Sequence, residues 1–214
     1  MKGFILSFLV IFSSQVSSAE FDDLAHKCAP DIAIDTLKAL IATESSYNQF
    51  AIAVVNGVVK QPKDLKNALG TVEKLISNHK NFSLGLGQIN VNNFKRLGVT
   101  AEDMFDPCKN LQATQQILKE CFIQAKNKKE GLSVGKSLGN ALSCYYSGNE
   151  HTGYEHGYVQ SVAKNAPIDS IKVPSIQSLN QELKITAQGG SNQSIVFSSE
   201  HKTSLVSSSK TKLV

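Results

Sequence analysis

Glu44 closes an apolar-faced segment that starts at Asp31, and the polar, helix-stopping run Ser45-Ser46-Tyr47-Asn48 follows it. A carboxyl at a helix C-terminus among apolar neighbours meets an unfavourable dipole and loses solvation. Both effects raise its pKa and suit it to act as a general acid. Downstream, Ser83-Leu84-Gly85-Leu86-Gly87-Gln88-Ile89-Asn90 joins two glycines to two amides. The glycines let the backbone approach a ligand closely, and Gln88 and Asn90 offer the hydrogen bonds that a polyhydroxylated sugar needs. A third glycine, a preceding strand and an acidic ribose partner are lacking, which argues against a nucleotide loop. Farther on, Ala141 to Asn149 reads as an apolar helix ending in Tyr145 and Tyr146 and capped by Gly148. Such rings line sugar clefts, and they equally serve core packing. His151 and His156 lie five apart, with neither an HExxH nor a GxSxG pattern in the chain, so no metal or cofactor is expected.

Four helices must position these groups. Ala33, Ile34, Leu37, Leu40 and Ile41 recur at three- and four-residue steps and carry the first helix up to Glu44. The second begins near Pro62 and shows Leu65, Leu69, Val72, Leu75 and Ile76 before ending near His79. Asp106-Pro107 breaks the chain; Leu111, Thr114, Leu118 and Phe122 then mark a third helix whose face also carries Cys121. Leu132, Val134, Leu138, Ala141, Leu142 and Tyr145 mark a fourth. Gly85-Leu86-Gly87 predicts a tight turn or short hairpin, and no useful strand-like alternation precedes Ser194–Phe197. The fold class is therefore mainly α.

With 214 residues, 41% of them apolar, the chain has the composition of one globular domain plus extras. A net charge of +4 without a dense Lys/Arg run excludes a nucleic-acid partner on composition. Residues 1–19 read as a secretory signal: Lys2, the apolar Phe4–Phe12, then Ser17-Ser18-Ala19 with cleavage after about Ala19. That core falls short of the ~20 residues needed to cross a bilayer, so no membrane span is retained. Export favours two disulfides among Cys28, Cys108, Cys121 and Cys144, with three connectivities open. Beyond Ala166 the chain turns Ser-, Lys-, Gln- and Thr-rich, so 167–214 reads as a flexible tail. It is either a solvated end or a docking segment with Ile195-Val196-Phe197 as its apolar handle.

Glu44-Ser45, then Gly85 to Asn90, then Cys144-Tyr145-Tyr146-Ser147-Gly148, in this order, resemble the lysozyme-like domain of the lytic transglycosylases. The likeness is greatest to the small exported members that accompany type IV secretion and conjugation machines. It runs from about Cys28 to Ala166, giving a domain over 20–166, and takes in Asp106 to Leu111 and Tyr158-Val159-Gln160-Ser161-Val162. The resemblance implies a lysozyme-like α+β domain with Glu44 as the sole catalytic acid/base. It makes Ser45 the neighbour that helps hold the carboxyl, Gln88 the contact to the N-acetyl sugar and Tyr145 a ring lining the site. Asn110 and Tyr158 shape the cleft. Gly87 stands where many members have Met, and Tyr146 where many have Asn.

The implied reaction cuts the β-1,4 bond between N-acetylmuramic acid and N-acetylglucosamine in peptidoglycan, leaving 1,6-anhydro ends in the periplasm. One carboxyl suffices, because an intramolecular hydroxyl replaces water. A hydrolase would want a second carboxylate soon after the first, and Ser45 to Ile89 offers only Asp64 and Glu73, on the exposed-looking face of a helix. A hydrolysing muramidase on the same fold and a non-catalytic assembly factor, docking through its tail, are the alternatives. The family's fold logic also sorts the cysteines. With the Glu44 helix starting near Cys28, away from the cleft, and the Asn110 helix carrying Cys121 to its far end, Cys28 pairs with Cys121 and Cys108 with Cys144.

Overall fold

The computed structural model describes residues 18–128 and 131–166. The tail expected over 167–214, and the expected leader except Ser18 and Ala19, lie outside the described residues. Helix α1, Ser18–Cys28, buries Phe21, Ala25 and Cys28, one face at helical spacing. A short break, Ala29 to Ala33, leads into α2, Ile34–Ser45, whose Leu37, Ala39, Leu40 and Ile41 are fully buried and make it the central helix. Helix α2 ends where Ser46 turns left-handed, φ 51°, its N–H closing on the Ala42 carbonyl. Tyr47, φ 65°, repeats the left-handed turn.

A small antiparallel sheet follows. Strand β1, Ile52–Val54, pairs with β2, Phe82–Leu84, which pairs with β3, Ile89–Asn90. Register sets Ile52, Leu84 and Ile89 side by side on the core face and Ala53, Ser83 and Asn90 on the other. That alternation is the period of two along a strand. Between β1 and β2 lies α3, Leu65–Ser77, capped by Asp64, whose side chain accepts from the Asn67 N–H, and buried along Ala68, Val72 and Leu75. Short elements connect the sheet to the helices beyond: a 3₁₀ turn over Val91–Asn93, α4 over Phe94–Leu97, and a second 3₁₀ turn over Asp103–Phe105.

Helix α5, Pro107–Lys128, opens with Pro at its first position, where no N–H is missed, and Asp106 accepts from the Lys109 N–H. It lies antiparallel against α6, Val134–Ser147, which Ser133 caps and Gly148 ends in a left-handed turn. Helices α7, Thr152–Glu155, and α8, Tyr158–Lys164, return the chain to α2. The fold is thus mainly helical, as the sequence implies, while the three-stranded sheet corrects the expectation that no strand precedes Gly85: β2 is too short to show alternation. Among the described residues no helix is long and apolar enough to cross a membrane.

The disulfides correct the expected pairing. Cys28 bonds Cys108, with Cα atoms 5.2 Å apart, and Cys121 bonds Cys144 at 5.7 Å. The expectation treated Cys28 as the start of the Glu44 helix. In fact Cys28 ends a separate helix, α1, that packs on the opening of α5, and the chain then runs along α5 to Asp31, which pairs with Lys119 at 2.6 Å. The antiparallel turn between α5 and α6 brings Cys144 opposite Cys121. Cys108 lies thirteen residues farther back, ~20 Å along the axis at ~1.5 Å per residue.

The two bridges close loops of different size, 80 and 23 residues apart in sequence. In the chain-entropy account the longer is worth about 4 to 5 kcal/mol and the shorter about 3. Urea unfolding should therefore show Cys28→Ser/Cys108→Ser less stable than Cys121→Ser/Cys144→Ser.

Candidate active site

Glu44 occupies the last turn of α2 and lines a cleft of ≈ 690 Å³ between the sheet and the α6–α7 corner. Ala53, Ser83, Ile89 and Asn90 form the sheet wall, and Tyr145, Tyr146 and His156 the opposite one. Glu44 is half-buried as a residue, and loss of solvation at its carboxyl raises the pKa to about 7 against a hydrogen bond from Tyr158 that lowers it. The Tyr158 hydroxyl donates to Oε1, and no protein group among the described residues takes Oε2. Burial, reinforced by the Glu44 charge, pushes the Tyr158 hydroxyl well above its usual range, so it stays a neutral donor. Tyr146 stacks on Tyr158, ring centroids 4.5 Å apart and planes 19° apart.

The hairpin turn after β2 is fixed from behind. Asn110, fully buried on α5, accepts from the Gly87 N–H at 2.8 Å and donates to the carbonyls of Leu84 and Met104. Tyr145 donates to the Gly87 carbonyl at 2.6 Å, so α5 and α6 grip the turn from two sides. Gly85 has φ 76°, and a Cβ there would lie 2.0 Å from the Met104 carbonyl oxygen. At Gly87 a Cβ would lie 2.0 Å from Thr114 Oγ1 and 2.9 Å from the Tyr145 hydroxyl oxygen.

Gln88 adopts φ 49° and turns its amide onto the carbonyls of Gly85 and Ala51 while lining the cleft. Its Nε2 is thereby occupied, leaving Oε1 without a protein partner among the described residues. Asn90 also lines the cleft, and it is tied to Asn81 and Ser83.

The structure thus brings Glu44, Gln88, Asn90, Tyr145 and Tyr146 to one cleft, with Tyr158 against the carboxyl. Asn110, expected to shape the cleft, lies behind it: with no exposed surface and its amide spent on three backbone partners, it holds the turn and does not reach a glycan. Ser45 also differs from its expected role, since its hydroxyl donates to the Ile41 carbonyl rather than to Glu44. Asp64, the cap of α3, and Glu73 on α3 are exposed and do not line the cleft. Sequence reading missed Asn81, Asn92, Asn93 and His156, all lining residues. The four asparagines between 81 and 93 were a visible signal; His156 was weighed with His151 as a metal pair only, and nothing in its neighbourhood pointed to a cleft. Among the described residues no group of three His, Cys, Asp or Glu could hold a metal ion.

Residues 24–168 match the family described as the transglycosylase SLT domain. The chain belongs to that family. Such an SLT enzyme is a lytic transglycosylase acting on peptidoglycan. A type IV secretion system protein virB1 from Brucella abortus biovar 1 (strain 9-941) is 39% identical over 163 residues, covering 72% of this chain and 68% of that protein. The virB1 of Brucella suis biovar 1 (strain 1330) is 40% identical over 151 residues, 68% of this chain and 63% of the relative. Protein virB1 of Rhizobium radiobacter is 33% identical over 151 residues, 70% and 62% respectively. No solved structure matches the chain.

Proposed function

We propose that Glu44 works alone as acid and then base in a transglycosylase that leaves 1,6-anhydro-muramyl ends, opening the wall locally for a type IV secretion machine. The observation that carries this reading is the cleft's single carboxyl: among the lining residues Glu44 is the only carboxylate, and its pKa stands near neutrality. Flanking-pair hydrolysis calls for a second carboxylate within about 5 to 9.5 Å. Protonated Glu44 gives its proton to the glycosidic oxygen as the bond to the muramic anomeric carbon breaks. The substrate's acetamido oxygen meets the developing positive charge. The carboxylate then takes the proton of the 6-hydroxyl as that oxygen closes on the anomeric carbon, and an anhydro sugar forms with no water consumed.

Likeness to the virB1 proteins supports the link to type IV secretion. An exported enzyme cleaved after Ala19 would keep Phe21, the first core residue of α1, and would work in the periplasm. The tail, 167–214, would dock onto the machine; a pull-down unchanged by its removal would count against that.

Mass spectrometry of muropeptides released from purified peptidoglycan tests the product. Fragments one water lighter, with anhydro ends, are expected; reducing ends would establish hydrolysis instead. Because the acid form starts the reaction, kcat/KM should fall as pH rises through about 7. Tyr158→Phe removes a bond that favours the carboxylate, so the alkaline limb should move up by about one pH unit while the rate at its optimum drops. An unmoved limb would mean that Tyr158 does not bond the titrating acid.

A further inference from the structure

The α7–α8 corner carries two side chains that embrace one ring. Tyr158 stacks on one side of Tyr146, and His156 meets it edge-on, centroids 5.9 Å apart at 81°, with the Tyr146 hydroxyl 3.2 Å from His156 Nδ1. Only Gly157 separates His156 from Tyr158 in sequence, and its φ of 72° lets the chain turn between them. The backbone of this corner is itself held, since the His156 N–H donates to the Thr152 carbonyl and the Gly157 N–H to that of Tyr154. His156 is exposed at the cleft rim, whereas Tyr158 is buried with its hydroxyl on Glu44. A tyrosine ring free to slide would carry that hydroxyl off the carboxyl; a ring clamped through its stacking partner would not.

We propose that His156 and Tyr146 form a positioning pair that holds the Tyr158 hydroxyl on Glu44, so the acid is set from the cleft rim. With the imidazole proton on Nε2, Nδ1 accepts from the Tyr146 hydroxyl. The titratable groups that face Tyr158 are Glu44 from α2 and Tyr145 and Tyr146 from α6. The inference rests on Glu44 being the acid.

The experiment uses the full exported chain on soluble, uncrosslinked peptidoglycan strands, with a carboxyl-carbon NMR titration of Glu44 in each variant. His156→Ala and Tyr146→Phe should each lower kcat about five- to tenfold with KM little changed, because a misplaced acid weakens the transition state and not ground-state binding. Both should move the Glu44 midpoint upward. His156→Gln, which keeps an acceptor for the hydroxyl, should restore most of the rate and the midpoint. In a Tyr158→Phe background His156→Ala should have no further effect, since the group it positions is gone. A raised KM with kcat and midpoint unchanged would make the pair a glycan contact and overturn the proposal. So would full additivity with Tyr158→Phe. If instead Glu44→Gln remained active, the reading of the acid would fail while the NMR coupling could still be read, so the two failures are separable.

Discussion

Glu44→Gln is expected to lower anhydro-product release about a thousandfold while making the folded protein more stable at alkaline pH. The loss follows from removing the one group placed to give and retake a proton in the cleft, within the span general acid-base catalysis contributes. The gain follows from linkage. The folded pKa of Glu44, about 7, lies above its ordinary 4.5. Stability attached to the protonated form is fully present below about 4.5 and is lost as pH rises through about 7. The amide never ionises, so thermal melts should favour the variant at pH 8 and show little difference at pH 4. An inactive variant destabilised at both values would point to a structural role for the carboxyl. A stabilised but active one would place the chemistry elsewhere.

Asn110→Ala should lose about 3 to 5 kcal/mol in urea unfolding, as much as truncating a large core side chain. It strands the Gly87 N–H and the Leu84 and Met104 carbonyls in a site without solvent. Asn110→Asp separates the hydrogen bonds from the volume. Its carboxylate would face two carbonyls where the amide donated, so it should be at least as damaging at neutral pH and recover part of its stability in acid, when one oxygen can donate again. Equal losses at both pH values would assign the effect to packing alone. With the turn released, the Gly87 carbonyl that receives Tyr145 also moves, so activity should fall below what the remaining folded fraction predicts.

The long helices were legible because each keeps an apolar stripe at helical spacing. The stripes of α2, α5 and α6 face the core where their periodicity places them, and in α3 Val72 and Leu75 do so while Leu65 and Ile76, at the two ends of the expected stripe, are exposed. Glu44 could be singled out for the same reason, since it ends a stripe rather than lying in one. The strands were not legible: three residues of β1 and two of β3 are too few to show alternation, and their pairing is decided by the turn that α5 and α6 hold. Helix α1 was hidden by the apolar leader reading next to it, and with it the partner of Cys28. Asn110 was noticed for its place in a motif, but nothing local separates an amide that binds sugar from one that binds backbone. Its burial alone decides that.

The absent side chain at Gly87 constrains how this cleft could have changed over time. A Met there, as many relatives of the fold carry, would have to occupy volume already filled by the fully buried Thr114 and by the Tyr145 hydroxyl. A side chain at position 87 requires Thr114 to shrink or turn away and the Tyr145 hydroxyl to shift with it. Positions 87, 114 and 145 therefore share one volume, and a change at one is expected to be answered at the others.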